Sequence, residues 1–575
     1  MQNHVIPSLN DRTTCTASHD DTHAITITPS ASRTISNLPP SYTQVKPCTS
    51  ATTSHTVPSV DNLSSLMFCS SPEQHTVFEC EDRWLQMVTK SFNTGIWPVH
   101  ASWSAYHAEQ SHASTEVQNA QPAVVALLPL FGDSAHSFAM IKHGMESISK
   151  AVHKLNGSQA PVIAFDQPLY AMAKLIQWSE PEKFGEDQFV LLLGALHIEM
   201  AAWKTLGDWL AGSGWTDALE HAGVASSGTA DSFLKACHVK RTRQAHIVTL
   251  ASLYVLRYRA YERYRENELD GVTVLDFQAW CDSRISECPQ FAYWNSVFDF
   301  ELTVLGLVRA IRTRNFDLYC RSLVQLAPWF FALDHTHYAR WLPIHIRDMV
   351  SLHDRHASVA SELEMGNFVV CKSARPFSAI AVDHAHEQAN KVIKEAGGAV
   401  GLTGNEHALR RWMVAGPEIA RMLNEFEAVS DIAHDKHHEQ TKSYQSRFVK
   451  DVTTLIDSFE QFDNPFVTEH SDLVSLMSRV VVSGVTAKIV TDALDVGKKQ
   501  YNQFVTERLC ERTTSVHAVL KRNSLAPFSF PQVRKSSAHH VRLAAARNDS
   551  ALFSRLYIAS QCRDGDLDTF FAHEN

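Results

Sequence analysis

Apolar positions fall into two textures along the chain. Between residues 123 and 200, short apolar runs (AVVALLPLF at 123–131, PVIAF at 161–165, FVLLLGAL at 189–196) alternate with segments whose apolar residues recur every three or four positions. Those segments are HSFAMIKHGMESISKAVHKL at 136–155 and the stretch 172–178. Continuous apolar runs predict buried strands and the wider spacing predicts helices, which together give α/β texture. From residue 201 to about 365 nearly everything has helical spacing, through 203–210, 245–266, 295–314 and 316–333, punctuated by Gly212, Gly214, Pro289, Pro328 and Pro343. Strand texture returns at 368–371 and 377–382, and helix resumes at 384–395. A helical block between two α/β pieces predicts an insertion into a sheet domain.

The flanks differ from this core. Residues 1–75 are rich in Ser, Thr, Pro and His, with no Phe or Trp before Phe68, so they are expected to be disordered. The glycine-rich 397–401 reads as a helix stop and turn, helical spacing continues to about 525, and a Pro- and Ser-containing linker at 527–538 precedes a helix-like piece at 551–571. The expected organisation is a tail at 1–75, the first part of an α/β core at 76–200, a helical insertion at 201–365, a return to the core at 366–400, a helical region at 401–525, and a linker with a truncated C-terminal helix at 526–575. The chain is expected to be mainly helical overall.

Composition narrows the function. A 44% hydrophobic content over 575 residues supports a sizeable core, and the net charge of −10 argues against a generally basic, backbone-hugging nucleic-acid protein while leaving room for a local basic groove. Eleven cysteines include no CxxC pair, which points to buried thiols rather than structural zinc. No basic-then-apolar leader and no bilayer-length apolar run is present, so a soluble intracellular protein is expected. Phosphate-loop, GxSxG and dinucleotide fingerprints are missing.

Candidate chemistry gathers where apolar runs end. Asp166 follows PVIAF, His197 and Glu199 follow FVLLLGAL, and Asp383, His386 and Glu387 follow FSAIAV. Asp383 and Glu387 at i, i+4 share a helix face, where two acids repel unless a cation, a base or a proton intervenes. The competing reading is a solvated first helical turn, where acids suit the helix dipole. His197 and Glu199 point the same way on a strand and diverge on a helix. A second cluster, Asp334, His335, His337, His345, Asp348, His353 and Asp354, has the residue types of a His-Asp metal hydrolase at irregular spacing. His434, His437 and His438 share one helical face, but the charges around them indicate a solvated surface. Cations cluster at 235–246 and, interleaved with tyrosine, at 257–265, with Arg309, Arg312 and Arg314 a third group. Arg and Tyr together suit phosphate contact and base stacking, against the alternative of a polar helix face paired with Glu262, Glu266 and Glu268.

The stretches FDQPLYAMAKLIQW, GALHIEMAAWKTLGDWLAGSGW, PWFFALDHTHYARWLPIHIRDM, DHAHEQANKVIKEAGGAVGLT, RWMVAGPE and LFSRLYIASQCRDGDLDTFFAHEN resemble an uncharacterised multicopy family of animal proteins, from about residue 124 to the C-terminus. Its multicopy distribution looks like that of a mobile element, and its relatives usually continue past the last segment, so a fragment of a longer protein is expected. A transposable-element origin implies, by analogy with hAT-like DDE transposases, an RNase H-like mixed sheet interrupted by a large all-α insertion. The resemblance then implies Asp166 as the first acid, Glu387 as the acid after the insertion, and Glu199 in the place of the aspartate expected after FVLLLG. It implies Mg²⁺ or Mn²⁺ held by Asp166, Glu199, Asp383 and Glu387, supported by His197 and His386, with Asp166, Glu199 and Glu387 catalytic. Lys240, Arg241, Arg243, Arg257 and Arg259 would contact nucleic acid. The function implied is a transposon-derived nuclease or its inactive descendant acting on DNA, and therefore nuclear. The alternatives are a non-catalytic helical interaction protein and the His-Asp metal hydrolase. DNA and a second copy of the chain are the expected partners, with no membrane.

Overall fold

The runs VIAF and VLLL become neighbouring parallel strands because every residue in both is buried, as a strand covered on two faces requires. The computed structural model describes residues 3–7, 16–19, 57–58, 78–112, 123–127, 136–267, 274–371, 375–394, 438–467 and 472–524, with Ala415, Met422, Phe426 and Phe528. The strands are β1 (Asn3–Pro7), β2 (Thr16–His19), β3 (Ala123–Leu127), β4 (Val162–Phe165), β5 (Val190–Leu193), β6 (Val369–Val370) and β7 (Ile380–Ala381). The larger sheet runs β3-β1-β2-β4-β5. In it β1 is antiparallel to β2 and β3, while β2, β4 and β5 are mutually parallel along the order. Two of these strands come from the Ser- and Thr-rich N-terminal stretch expected to lack order. β6 and β7 form a separate antiparallel pair, joined to the start of β3 by the Ala123 amide on the Cys371 carbonyl.

The described chain is otherwise mainly helical. The block expected at 201–365 is helical, but its first helix, Ala195–Leu210, begins earlier, directly after β5, because Gly194 ends the strand. Pro289–Thr313 lies at the centre of the helical mass, with Phe291, Trp294, Phe298, Leu305 and Val308 buried on all sides, as a core helix should be. After the block, β7 leads straight into the helix Val382–Lys394, so Asp383 falls in its first turn.

A buried ion cluster joins the insertion to the sheet. Lys174, on the helix that follows β4, lies 2.6 Å from Glu186 and 2.9 Å from Asp348. Arg347 pairs with both acids, and Arg355 reaches Glu186 at 2.7 Å. Burial pushes the Asp348 carboxyl up, but Arg347, Lys174 and Arg355 outweigh it and hold the group below its usual range.

The described cysteines are free, and Cys281, Cys288 and Cys371 are buried. Among the described residues no helix is long and apolar enough to cross a membrane. The turn expected at 397–401, the linker at 527–538, the helix expected at 551–571, His434 and His437 lie outside the described residues.

Candidate functional site

The parallel strands β4 and β5 end side by side, and a helix leaves each tip. Asp166 follows β4 and caps the helix Gln167–Ser179, its Oδ1 accepting from the Leu169 amide at 3.1 Å. Gly194 follows β5 and donates its amide to the Phe165 carbonyl at 2.7 Å. It offers the helix Ala195–Leu210 no side-chain cap. That cap comes from Asp383 instead, whose carboxylate accepts from the amides of Leu196 and His197, both at 3.1 Å, and lies 3.0 Å from His197 Nδ1. Glycine is required here by close approach, since a Cβ on residue 194 would lie 2.4 Å from Asp383 Oδ2 and 3.1 Å from the Phe165 carbonyl oxygen. Burial raises the Asp383 carboxyl, but the hydrogen bond and charge of His197 and the two amides outweigh it and hold the group below its ordinary range.

Glu199 has turned away from this point. On a helix it sits half a turn from His197, and its two oxygens enter the fork of Arg243, with Nε–Oε1 and Nη2–Oε2 both 2.7 Å. The Trp203 indole donates to Oε1 at 2.9 Å. Behind that indole, His246 is stacked between Trp203 and Trp215, with ring centres 4.4 and 4.8 Å away, and its Nδ1 meets Glu301 at 2.8 Å. Burial lowers His246 to about 3 and raises the Glu301 carboxyl well above its ordinary value. Glu387, one turn beyond Asp383, is half-buried, and His386 is buried against Asn390 at 2.9 Å.

The implied Mg²⁺ or Mn²⁺ would need carboxylate oxygens free to coordinate it. Asp383 already accepts from Leu196, His197 and His384, and Glu199 from Arg243 and Trp203. Glu199 and Asp383 are thus committed to donors of the protein itself. Among the described residues no group of three or more His, Cys, Asp or Glu is placed to hold a metal ion.

A cavity of about 840 Å³ opens beside Leu196 and Glu199. Lys240, Arg241 and Arg243 line it from the start of the helix Val239–Asn267, Arg312 from the end of Pro289–Thr313, and Tyr444, Arg447 and Asp451 from Lys442–Gln461. Residues 377–381, His384 and Gln388 complete the side nearest the strand tips. Two of its five Lys and Arg side chains are matched, Arg243 by Glu199 and Arg312 by Glu439 at 2.6 Å. Lys240, Arg241 and Arg447 are exposed and have no ion pair or hydrogen bond among the described residues. The third acid, Asp451, is raised to about 6 by burial against the opposing pull of Arg447 and Lys450. Burial, reinforced by Arg243, lowers His384 to about 4 against the pull of Asp383, so it is uncharged at neutral pH. Phe377 holds a left-handed backbone (φ 58) in the cavity wall, stacked on His107 at 5.5 Å with the Arg312 guanidinium 5.3 Å from its ring centre. A bulky residue in that region costs about 1–3 kcal/mol and persists only where its surroundings fix it.

The structure disperses the other sequence candidates. Arg257 is buried with its guanidinium 4.1 Å from the Phe298 ring centre and 2.6 Å from Asn295 Oδ1, and Arg259 pairs with Glu460 at 2.8 Å. Both are occupied in packing, more than three helical turns from Lys240. In the His-Asp cluster, Asp334 accepts from the Asn523 amide at 2.8 Å, His335 lies 3.1 Å from Asp208, and His345 lies 2.9 Å from the Tyr319 hydroxyl. His353 and Asp354 are exposed, and Asp348 belongs to the ion cluster. Sequence reading missed Arg447, Tyr444, His384 and Phe377; the last two stand in the marked run FSAIAVDHAHEQ, which does not tell them from their neighbours, and the fold alone brings all four together.

The family described as a domain of unknown function, DUF8702, matches residues 102–270 and 261–574. No curated protein and no solved structure matches the chain. With the match covering most of its length, the chain belongs to the DUF8702 family.

Proposed function

We propose that this protein is a non-catalytic descendant of an RNase H-like nuclease that binds nucleic acid through the cavity beside its strand tips. The observation that carries the reading is the charge imbalance of that cavity, where five Lys and Arg side chains stand against three acids, and the exposed Lys240, Arg241 and Arg447 form no ion pair or hydrogen bond among the described residues. Cations left unmatched in a concave site favour a polyanion, and arginine in particular suits phosphate. Support for the ancestry comes from the order of the larger sheet and from the helical block between β5 and the acid-bearing helix Val382–Lys394. The non-catalytic part of the reading is supported by the acids, because the oxygens of Glu199 and Asp383 accept from Arg243, Trp203, His197 and backbone amides.

The test is fluorescence anisotropy with single-stranded and duplex DNA across a salt series, on the wild type and on a Lys240→Ala/Arg241→Ala/Arg447→Ala variant. Binding should weaken with salt, and the variant should lower the log–log slope by roughly 0.7–0.9 for each phosphate it no longer neutralises. No binding at low salt, or an unchanged slope in the variant, would sink the polyanion reading. Mg²⁺-dependent nicking that disappears in Asp166→Asn would overturn the non-catalytic part.

A further inference from the structure

The cavity has two kinds of wall, and no simple ion satisfies both. Its exposed side carries Lys240, Arg241 and Arg447, while Val308 and Ile311 form a buried apolar surface and Tyr444 contributes a half-buried ring. An inorganic anion would match the cations and leave the apolar surface wetted. A purely apolar ligand would leave the cations without counter-charge. A ligand with an anionic group such as phosphate at one end and a largely apolar, ring-bearing group at the other would satisfy both walls.

We propose that the cavity is a nucleotide site, taking one phosphorylated nucleoside with its phosphate at Lys240, Arg241 and Arg447 and its base against Tyr444 and the apolar wall. The volume, about 840 Å³, lies within the range of small-molecule sites, roughly 300–1,000 Å³. Tyr444 suits stacking because its ring is already held in place, by its hydroxyl on Gln244 and by the edge-on ring of His438 at 5.7 Å. The inference rests on the polyanion reading for the nature of the ligand, and adds that a single nucleotide unit is recognised, either free or at the end of a strand.

The test is isothermal titration of the full chain with thymidine 5′-monophosphate, thymidine and inorganic phosphate. The monophosphate should bind at least ~10-fold more tightly than either fragment, since both walls are then engaged. Arg447→Ala should weaken the monophosphate by ~10-fold, the loss of about one charge-assisted hydrogen bond. Tyr444→Ala should weaken it while leaving phosphate unaffected, and Tyr444→Phe, which keeps the ring but loses its anchor on Gln244, should weaken it less. Competition by a 5′-phosphorylated oligonucleotide at lower concentration than the free monophosphate assigns the site to strand ends; the reverse order assigns it to free nucleotide. Phosphate binding as tightly as the monophosphate, or no saturable monophosphate binding, overturns the inference. If DNA still binds in a salt-dependent way in that case, the polyanion reading stands without it. Monophosphate binding without DNA binding would keep the nucleotide site and remove the nucleic-acid reading.

Discussion

The acids at the strand tips and the cations of the adjoining cavity meet around the helix Ala195–Leu210, yet their charges are balanced differently. Asp383 and Glu199 are met by donors on both oxygens, from His197, backbone amides, Arg243 and Trp203. Lys240 and Arg241 form no ion pair or hydrogen bond among the described residues, and Arg447 has only the charge of Asp451, one turn along its own helix. Asp383 and Glu199 thus serve as structural joints here, while the cavity's cations are matched less completely. What invites a ligand is the residual charge after internal pairing, and that residual has the opposite sign to the residues that stand out in the sequence.

The contrast can be broken most forcefully at Arg243. Arg243→Ala leaves the buried Glu199 carboxylate without its main partner and should cost about 3–5 kcal/mol in denaturant unfolding. A loss below about 1 kcal/mol would mean that Glu199 is less committed to structure than its geometry states.

Glu81 sharpens the same point, because its partner does not win. Burial raises its carboxyl to about 7 although Arg309 opposes the shift from 2.6 Å. The folded state therefore holds this proton more tightly than the unfolded state. The resulting stabilisation is complete below pH ~4.5 and is lost as pH rises through about 7, a change of order 3 kcal/mol. Glu81→Gln should flatten the stability profile across that window, and a profile identical to wild type would contradict the assignment.

The smallest effect on stability is expected on the cation side. Lys240→Ala and Arg241→Ala should each change unfolding free energy by no more than about 0.5 kcal/mol, as for surface residues without partners. A larger loss in thermal denaturation would show that these side chains are already engaged within the fold.

Strands β4 and β5 were legible because VIAF and VLLL are short, wholly apolar and stopped by Asp166 and Gly194. The helical block was legible from spacing, and so was the carboxylate at the tip of β4. Glu199 was harder to read because the apolar run FVLLLGALHIEM conceals the change from strand to helix at Gly194, and that change swings Glu199 from the tip toward Arg243. Asp383 is legible as an acid but not as a cap, since the amides it serves lie 186 and 187 residues earlier. In RYRAYERYR, periodicity cannot tell Arg257, which packs on Phe298, from a cation facing solvent. The same helix carries both uses, and tertiary contacts alone separate them.

The cap that Asp383 provides also sets an order of events during synthesis. The helix Ala195–Leu210 leaves the ribosome with its first amides uncovered by any side chain of its own, and the residue that covers Leu196 follows 187 positions later. At 5–20 residues per second that is a wait of roughly 10–40 s, during which the whole insertion must emerge and stay clear of the tip of β5. The cap between sheet and insertion therefore cannot form until long after the residues of β4 and β5 have been synthesised.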